Sequence, residues 1–318
     1  MVRRPTPPKF RRGPTLLRLG AGVVGGIAGL GLLAMLWPES DRAIQPVQRL
    51  TPADLAKPPS RSVTILVIGV DSDLPGDPVN QAAPRGPANV DALLLVRVNP
   101  QGPLQVLTLP TNLAVQLPGQ KRPQALGSLY RLGGAALTAD AVRSLVGLDS
   151  GQPERYVVLG RATLRSLVDG LGSIAANPSF ALRYNDKSQR FSINLQGGLQ
   201  RLKGNQVEQL VRYQDPRRPE DSRQENQTLV LRSLLREMAL PEQLGQLSGL
   251  VKSLNSGVLT NLSQPETLSL LAAGLSHGET VQFSMVPLAP ATAKLGLREI
   301  ASSAPEPLWP APAAPAAN

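Results

Sequence analysis

Two stretches of this chain place ionisable side chains where they could act together on an anion. The first is Gly69-Val70-Asp71-Ser72-Asp73, which closes an apolar run, with Asp91 at the start of a second such run. Carboxylates at strand ends beside Gly-rich turns suit a magnesium ion, a hard cation that takes oxygen ligands and shares them with substrate phosphates. Asp71 and Asp91 are the candidate metal ligands, although an Asp-Ser-Asp would equally cap a turn. The second stretch runs from Arg212 through Tyr213, Gln214, Asp215, Arg217, Arg218, Glu220, Asp221 and Ser222 to Arg223, with Asn226-Gln227 just beyond. The planar fork of arginine matches pyrophosphate oxygens, and a helix starting here adds the positive end of its dipole. Taken alone, the same mixed-sign run is the ordinary composition of a solvated loop.

These groups need a frame to hold them. Short β-rich runs alternate with longer helical patterns, which is the arrangement of an α/β domain. Strands are expected at residues 63–70 (VTILVIGV), 92–98 and 105–109, the last two antiparallel across a turn at Asn99-Pro100-Gln101-Gly102. Helical patterns follow at 133–145, 160–171, 203–211, 222–238 and 265–274, with Asp221 and Ser222 as caps of the long one. Asp169-Gly170-Leu171-Gly172 should end a helix, where glycine tolerates a left-handed backbone. Tyr130-Arg131-Leu132-Gly133-Gly134 should open one. The sequence has no internal repeat.

Residues 19–37 (LGAGVVGGIAGLGLLAMLW) carry no charge and have the length of a bilayer-spanning helix. Arg3, Arg4, Lys9, Arg11, Arg12 and Arg18 precede them with no acid between, so the positive-inside rule expects a cytoplasmic N-terminus and an extracytoplasmic remainder. A cleaved signal peptide is the alternative; the length of the apolar run and its Leu36-Trp37-Pro38 end argue against it. The expected organisation is a basic tail (1–18), a membrane anchor (19–37), a stalk (38–60), one domain (61–300) and a disordered Pro/Ala tail (301–318). Setting those 6 basic residues aside leaves 27 of the 33, against 23 acidic, so a nucleic-acid surface is not required. With no cysteine, disulfides, thiol catalysis and Cys-type zinc sites are excluded, and the single His277 argues against a His-based triad or metal cluster.

Read in order, the segments ILVIGVDSD, NVDALLLVRVNP, TLPTNLAVQLPG, LGSLYRLGGAAL, VRSLVGL, RYVVLGRATLRSLVDGLGSI, GGLQRLKGNQVEQLVRYQD and DSRQENQTLVLRSLLREM follow the basic tail and the apolar span. This succession resembles the LytR-CpsA-Psr family of envelope proteins over residues 63–238. The resemblance implies an α/β fold with a central mixed β-sheet flanked by helices, a hydrophobic groove for a polyprenyl chain, and a magnesium-pyrophosphate site at its mouth. It also implies a membrane enzyme that transfers a phospho-glycan from a polyprenyl-pyrophosphate carrier to peptidoglycan or another envelope acceptor. Carried over residue by residue, Asp71 and Asp91 would hold Mg2+, and Asp91, Arg212, Asp221 and Arg223 would form the catalytic set. Arg212, Arg223 and Gln227 would bind the pyrophosphate.

The chain departs from the family pattern where it matters most. Asp73, Asn89, Thr111, Gln214 and Asn226 stand where the family usually has arginine, and Ala125 where it has lysine. Loss of one fixed donor to a developing charge can cost on the order of a hundredfold in rate. Arg85, Arg217 and Arg218 are the candidate replacements. A non-catalytic relative that binds polyprenyl-linked glycans or scaffolds an envelope assembly is therefore the alternative.

Overall fold

The run VTILVIGV forms β1 (Val63–Val70), whose alternate residues serve two different cores. Ile65 packs into one apolar cluster, and Leu66, Ile68 and Val70 into the other, as a two-residue repeat requires of a strand covered on both faces. The structure is a computed structural model and describes residues 50–78, 86–187, 191–277, 280–290 and 296–309. The expected basic tail and membrane anchor, and Arg85, lie outside the described residues. Among the described residues no helix is long and apolar enough to cross a membrane.

After β1 come β2 (Val90–Val98), β3 (Gln105–Thr108), β4 (Ala114–Val115), β5 (Gln124–Ala125), α1 (Leu129–Val146), β6 (Arg155–Leu159), α2 (Arg161–Gly170), β7 (Ile174–Ala176), β8 (Leu182–Asp186), β9 (Phe191–Leu195) and β10 (Gln200–Leu202). Then follow α3 (Gly204–Arg212), α4 (Pro219–Met238), α5 (Pro241–Leu254), β11 (Val258–Thr260), α6 (Gln264–Ser276) and β12 (Gln282–Met285). Six strands form one sheet in the order β11-β6-β1-β2-β3-β12. It is mixed: β1 runs antiparallel to β2 and parallel to β6, and β3 antiparallel to β2 and parallel to β12. Helix α1 contributes Val142 and Val146 to the core on one face, while α2 to α6 contribute Val168, Leu210, Val230, Leu244 and Leu270 to the other. The expected α/β fold with a central mixed sheet flanked by helices is what forms. Residues beyond 240 complete it, since α5 buries Leu244 and Leu247, β11 pairs with β6 and β12 with β3.

Four local expectations need correction. The stretch from Tyr130 does open α1, but Gly133 and Gly134 interrupt it, Gly134 at φ +64°, and a Cβ on Gly133 would meet Leu137 at 2.7 Å. The long helix starts at Pro219, whose missing N–H is harmless in a first turn, so Asp221 lies inside that turn and not at its cap. Residues 50–60 of the expected stalk lie against the domain: Leu55 packs on the helix-side core and Ser269 Oγ donates to the Lys57 carbonyl at 2.7 Å. Finally, residues 301–309 of the expected disordered tail return to the opposite core. There Trp309 is buried beneath Arg97, with the guanidinium carbon 4.7 Å from its ring centre. Burial pushes Arg97 down to about 10.

Candidate active site

The site is built where β1 ends and β2 begins. Gly69 pairs with Ala92 and Val70 with Val90, so Asp91 is the extra residue of a β-bulge. A bulge turns its side chain away from the regular alternation, and here it directs the carboxylate into a pocket of about 380 Å³. A Cβ on Gly69 would stand 3.1 Å from that of Ala92, so a side chain there would press on the bulge. Asp71 follows directly. Its N–H donates to the Asn89 carbonyl at 3.0 Å and its Oδ1 accepts from the Asn89 N–H at 2.8 Å, which pins the exit of β1 to the entry of β2. Asp71 and Asp91 line the same pocket. Among the described residues no group of three or more His, Cys, Asp or Glu gathers to hold a metal. Two carboxylates fit an ion that takes its other ligands from water and phosphate, as magnesium does.

Helix α4 brings the second half. At 100° per residue, Glu220, Arg223, Gln224 and Gln227 share one face of the helix. Arg223 donates to Glu220 at 2.6 Å, to Thr111 Oγ1 at 2.9 Å and to Asp91 at 3.3 Å. Gln227 Nε2 donates to the Asp91 carbonyl at 3.0 Å. Arg212, at the end of α3, lies with its guanidinium carbon 3.6 Å from the Phe191 ring centre and also lines the pocket. The Asp91 carboxylate, with 40% of its side-chain surface accessible, lines the pocket, and desolvation there holds its pKa above the ordinary 3.8. Arg223, Arg212 and Arg161 pull the other way without reversing it.

A buried carboxylate outside the residues picked from the sequence organises the arginines. Glu208 is 6% exposed and meets Arg161 at 3.2 Å, Arg212 at 3.1 Å, and Arg165 in a short contact. Arg161 and Arg165 both also reach Asp73, at 3.3 and 3.0 Å. The approach depends on Gly160, where a Cβ would lie 2.2 Å from the Asp73 carbonyl oxygen. In its place the first N–H groups of α2 donate to the carbonyls of Ser72 and Asp73.

Of the residues picked from the sequence, Asp71, Asp91, Arg212, Arg223 and Gln227 are brought together. Asp221 is not: it lies outside the pocket lining, half exposed, with its carboxylate 3.8 Å from Arg298. Glu220, one residue earlier, is the acid that meets Arg223. Arg218 pairs with Glu225 on the surface, so it does not serve as a replacement cation in the pocket.

The sequence model of the LytR_cpsA_psr family matches residues 40–299. The chain belongs to that family. A polyisoprenyl-teichoic acid–peptidoglycan teichoic acid transferase, TagU of Enterococcus faecalis, is 24% identical over 243 residues, which cover 74% of each chain. TagU of Bacillus subtilis is 25% identical over 202 residues, covering 63% of this chain and 60% of the relative. The crystal structure of B. subtilis TagV overlays with a TM-score of 0.63 at 17% identity over 77% of this chain and 93% of that one, which shows the shared fold. Within this LytR_cpsA_psr chain three of the departures have partners. Asp73 binds Arg161 and Arg165, the backbone of Asn89 clamps Asp71, and Thr111 accepts from Arg223. Arg161 and Arg165 of α2 thus pair with the acid that stands after β1.

Proposed function

We propose that this chain transfers a phospho-glycan from a polyprenyl-pyrophosphate carrier to peptidoglycan or another envelope acceptor. The observation that carries the reading is the convergence on one pocket of Asp91, from the start of β2, with Arg212 and Arg223, from the α3–α4 corner more than a hundred residues later. Arg212 and Arg223 neutralise pyrophosphate oxygens there, and the start of α4, whose Pro219 lines the pocket, adds its dipole. Asp71 and Asp91 hold Mg2+, which supplies charge neutralisation at the phosphoryl oxygens when bound. Glu220 and Thr111 fix the Arg223 fork, and Gln227 holds the bulge that aims Asp91. An acceptor hydroxyl oxygen forms a bond to the phosphorus bearing the glycan, the bridging P–O bond to the carrier breaks, polyprenyl phosphate leaves, and the hydroxyl proton passes to solvent.

The lipid has a place as well. A second cavity of about 200 Å³ is lined by aliphatic side chains including Ile65, Val67, Val98, Leu235 and Leu270, on the same side of the sheet as α4. Ile65 and Val67 precede Asp71 by six and four residues on β1, which is ~13–20 Å at ~3.3 Å per residue. A polyprenyl tail leaving the pocket along that strand reaches this cavity. Residues 19–37 anchor the chain in the membrane with the domain outside the cytoplasm, next to a lipid-borne donor. The test incubates the chain with polyprenyl-pyrophosphate-linked glycan, peptidoglycan and Mg2+. Covalent glycan on peptidoglycan is expected, lost in Asp91→Ala and Arg223→Ala; undiminished product in either variant would remove that residue from the mechanism.

A further inference from the structure

Aromatic side chains are scarce in this protein, ten in 318 residues, and eight of them fall among the described residues. The two cores are filled almost wholly by Leu, Val, Ile and Ala. Four of the eight nevertheless gather at one rim of the active-site pocket. Tyr184 on β8 and Phe191 on β9 line it, and Phe180, just before β8, meets Tyr213 edge to face with ring centres 6.3 Å apart. Tyr213 itself sits between the pocket residues Arg212 and Gln214.

Packing accounts for part of this cluster. Tyr213 is buried, and Phe191 lies under the Arg212 guanidinium. It does not account for Tyr184, whose surface is 51% exposed on the pocket wall. Asp186 stands two residues along the same strand, so it shares a face with Tyr184, and it lines the same wall. An open aromatic face with a phenol tip and a nearby carboxylate match one chemistry well. A pyranose ring offers an apolar C–H face to stack on the aromatic ring, and hydroxyl groups that donate to a carboxylate.

We propose that the β8–β9 ribbon carries a saccharide subsite in which Tyr184 stacks on a sugar ring and Asp186 accepts from its hydroxyls. The inference rests on the transferase reading and names the part of the donor that this wall receives. The occupant is the sugar bonded to the pyrophosphate, because Tyr184 and Asp186 share their pocket with Arg212, which holds that pyrophosphate.

The experiment measures binding to the full-length chain of two probes, polyprenyl pyrophosphate and the same lipid carrying one N-acetylhexosamine. Tyr184→Ala should weaken the glycosylated probe about fivefold to tenfold and leave the bare lipid unchanged, while Tyr184→Phe keeps wild-type affinity for both. Equal affinity of Tyr184→Ala and wild type for the glycosylated probe would overturn the subsite. So would an effect confined to the KM for peptidoglycan, which would put an acceptor sugar there instead. Failure of the wild-type chain to bind even the bare lipid would refute the transferase reading and this inference with it.

Discussion

Replacing Gly274 by leucine separates the lipid cavity from the chemistry of the site. Gly274 lies buried on α6 and lines the aliphatic cavity of about 200 Å³. A Cβ added there meets Leu104 Cδ1 at 3.7 Å, an ordinary contact, so a larger side chain can grow into the cavity. Leucine brings four carbons, and at ~0.8 kcal/mol per buried carbon it displaces ~3 kcal/mol of contact with a polyprenyl tail. That corresponds to a loss of donor affinity on the order of a hundredfold. Stability moves the other way, because glycine inside a helix is about 0.8–1 kcal/mol worse than a good helix former and the new side chain is buried. The assay compares the KM for a full-length polyprenyl donor with that for a donor whose lipid is cut to two isoprene units, alongside thermal unfolding. The expected result is a large rise in KM for the long donor only, with Tm unchanged or higher. A folded Gly274→Leu protein with wild-type KM for the long donor would refute the placement of the tail.

Other consequences follow from single side chains. Because burial holds Asp91 above its ordinary 3.8, the folded state binds that proton more tightly than the unfolded one, and stability falls as pH rises through and above that value. In metal-free buffer Asp91→Asn should therefore be more stable than wild type at neutral pH and converge with it in acid, while losing transfer; a urea titration across pH would expose the wrong sign. Mg2+ should raise the Tm of wild type and not of Asp91→Asn, and equal shifts would show that the ion binds elsewhere. Glu208→Gln leaves three arginines facing a neutral amide and should destabilise by about 3 kcal/mol and weaken donor binding, both measurable on one preparation. Gly160→Ala forces a Cβ to within 2.2 Å of the Asp73 carbonyl and should cost about 2–3 kcal/mol in chemical denaturation; a neutral result would mean that the loop after β1 gives way easily.

How much of this was legible beforehand varies by residue. VTILVIGV reads as a buried strand because nothing polar interrupts it, and β1 has those bounds. Asp91 marks the expected start of the next strand yet lies inside β2, because a bulge absorbs it. The ribbon β8–β9 escaped notice although FSINL alternates apolar and polar residues as a strand with one covered face does, because each run is only five residues long and LRYND ends on two polar residues. Glu208 looks in sequence like the solvated side of an amphipathic helix, and only the arrival of Arg161 and Arg165 from α2 buries it. Asp221 was drawn in by a motif that ignores helical phase, whereas its neighbour Glu220 faces Arg223. Trp309 sits in a Pro/Ala stretch whose composition suggests disorder, yet its indole is buried against Arg97 while Ile300 and Leu308 pack on the same core.

Group transfer at the pocket of Asp91, Arg212 and Arg223 yields two products. Its most direct test follows both products of one reaction of the purified full-length chain with polyprenyl-pyrophosphate-linked glycan, peptidoglycan and Mg2+. One polyprenyl phosphate is expected to be released for each glycan joined to peptidoglycan, with both signals lost in Arg223→Ala. Saturable donor binding with no release, or release without attachment, would contradict group transfer there.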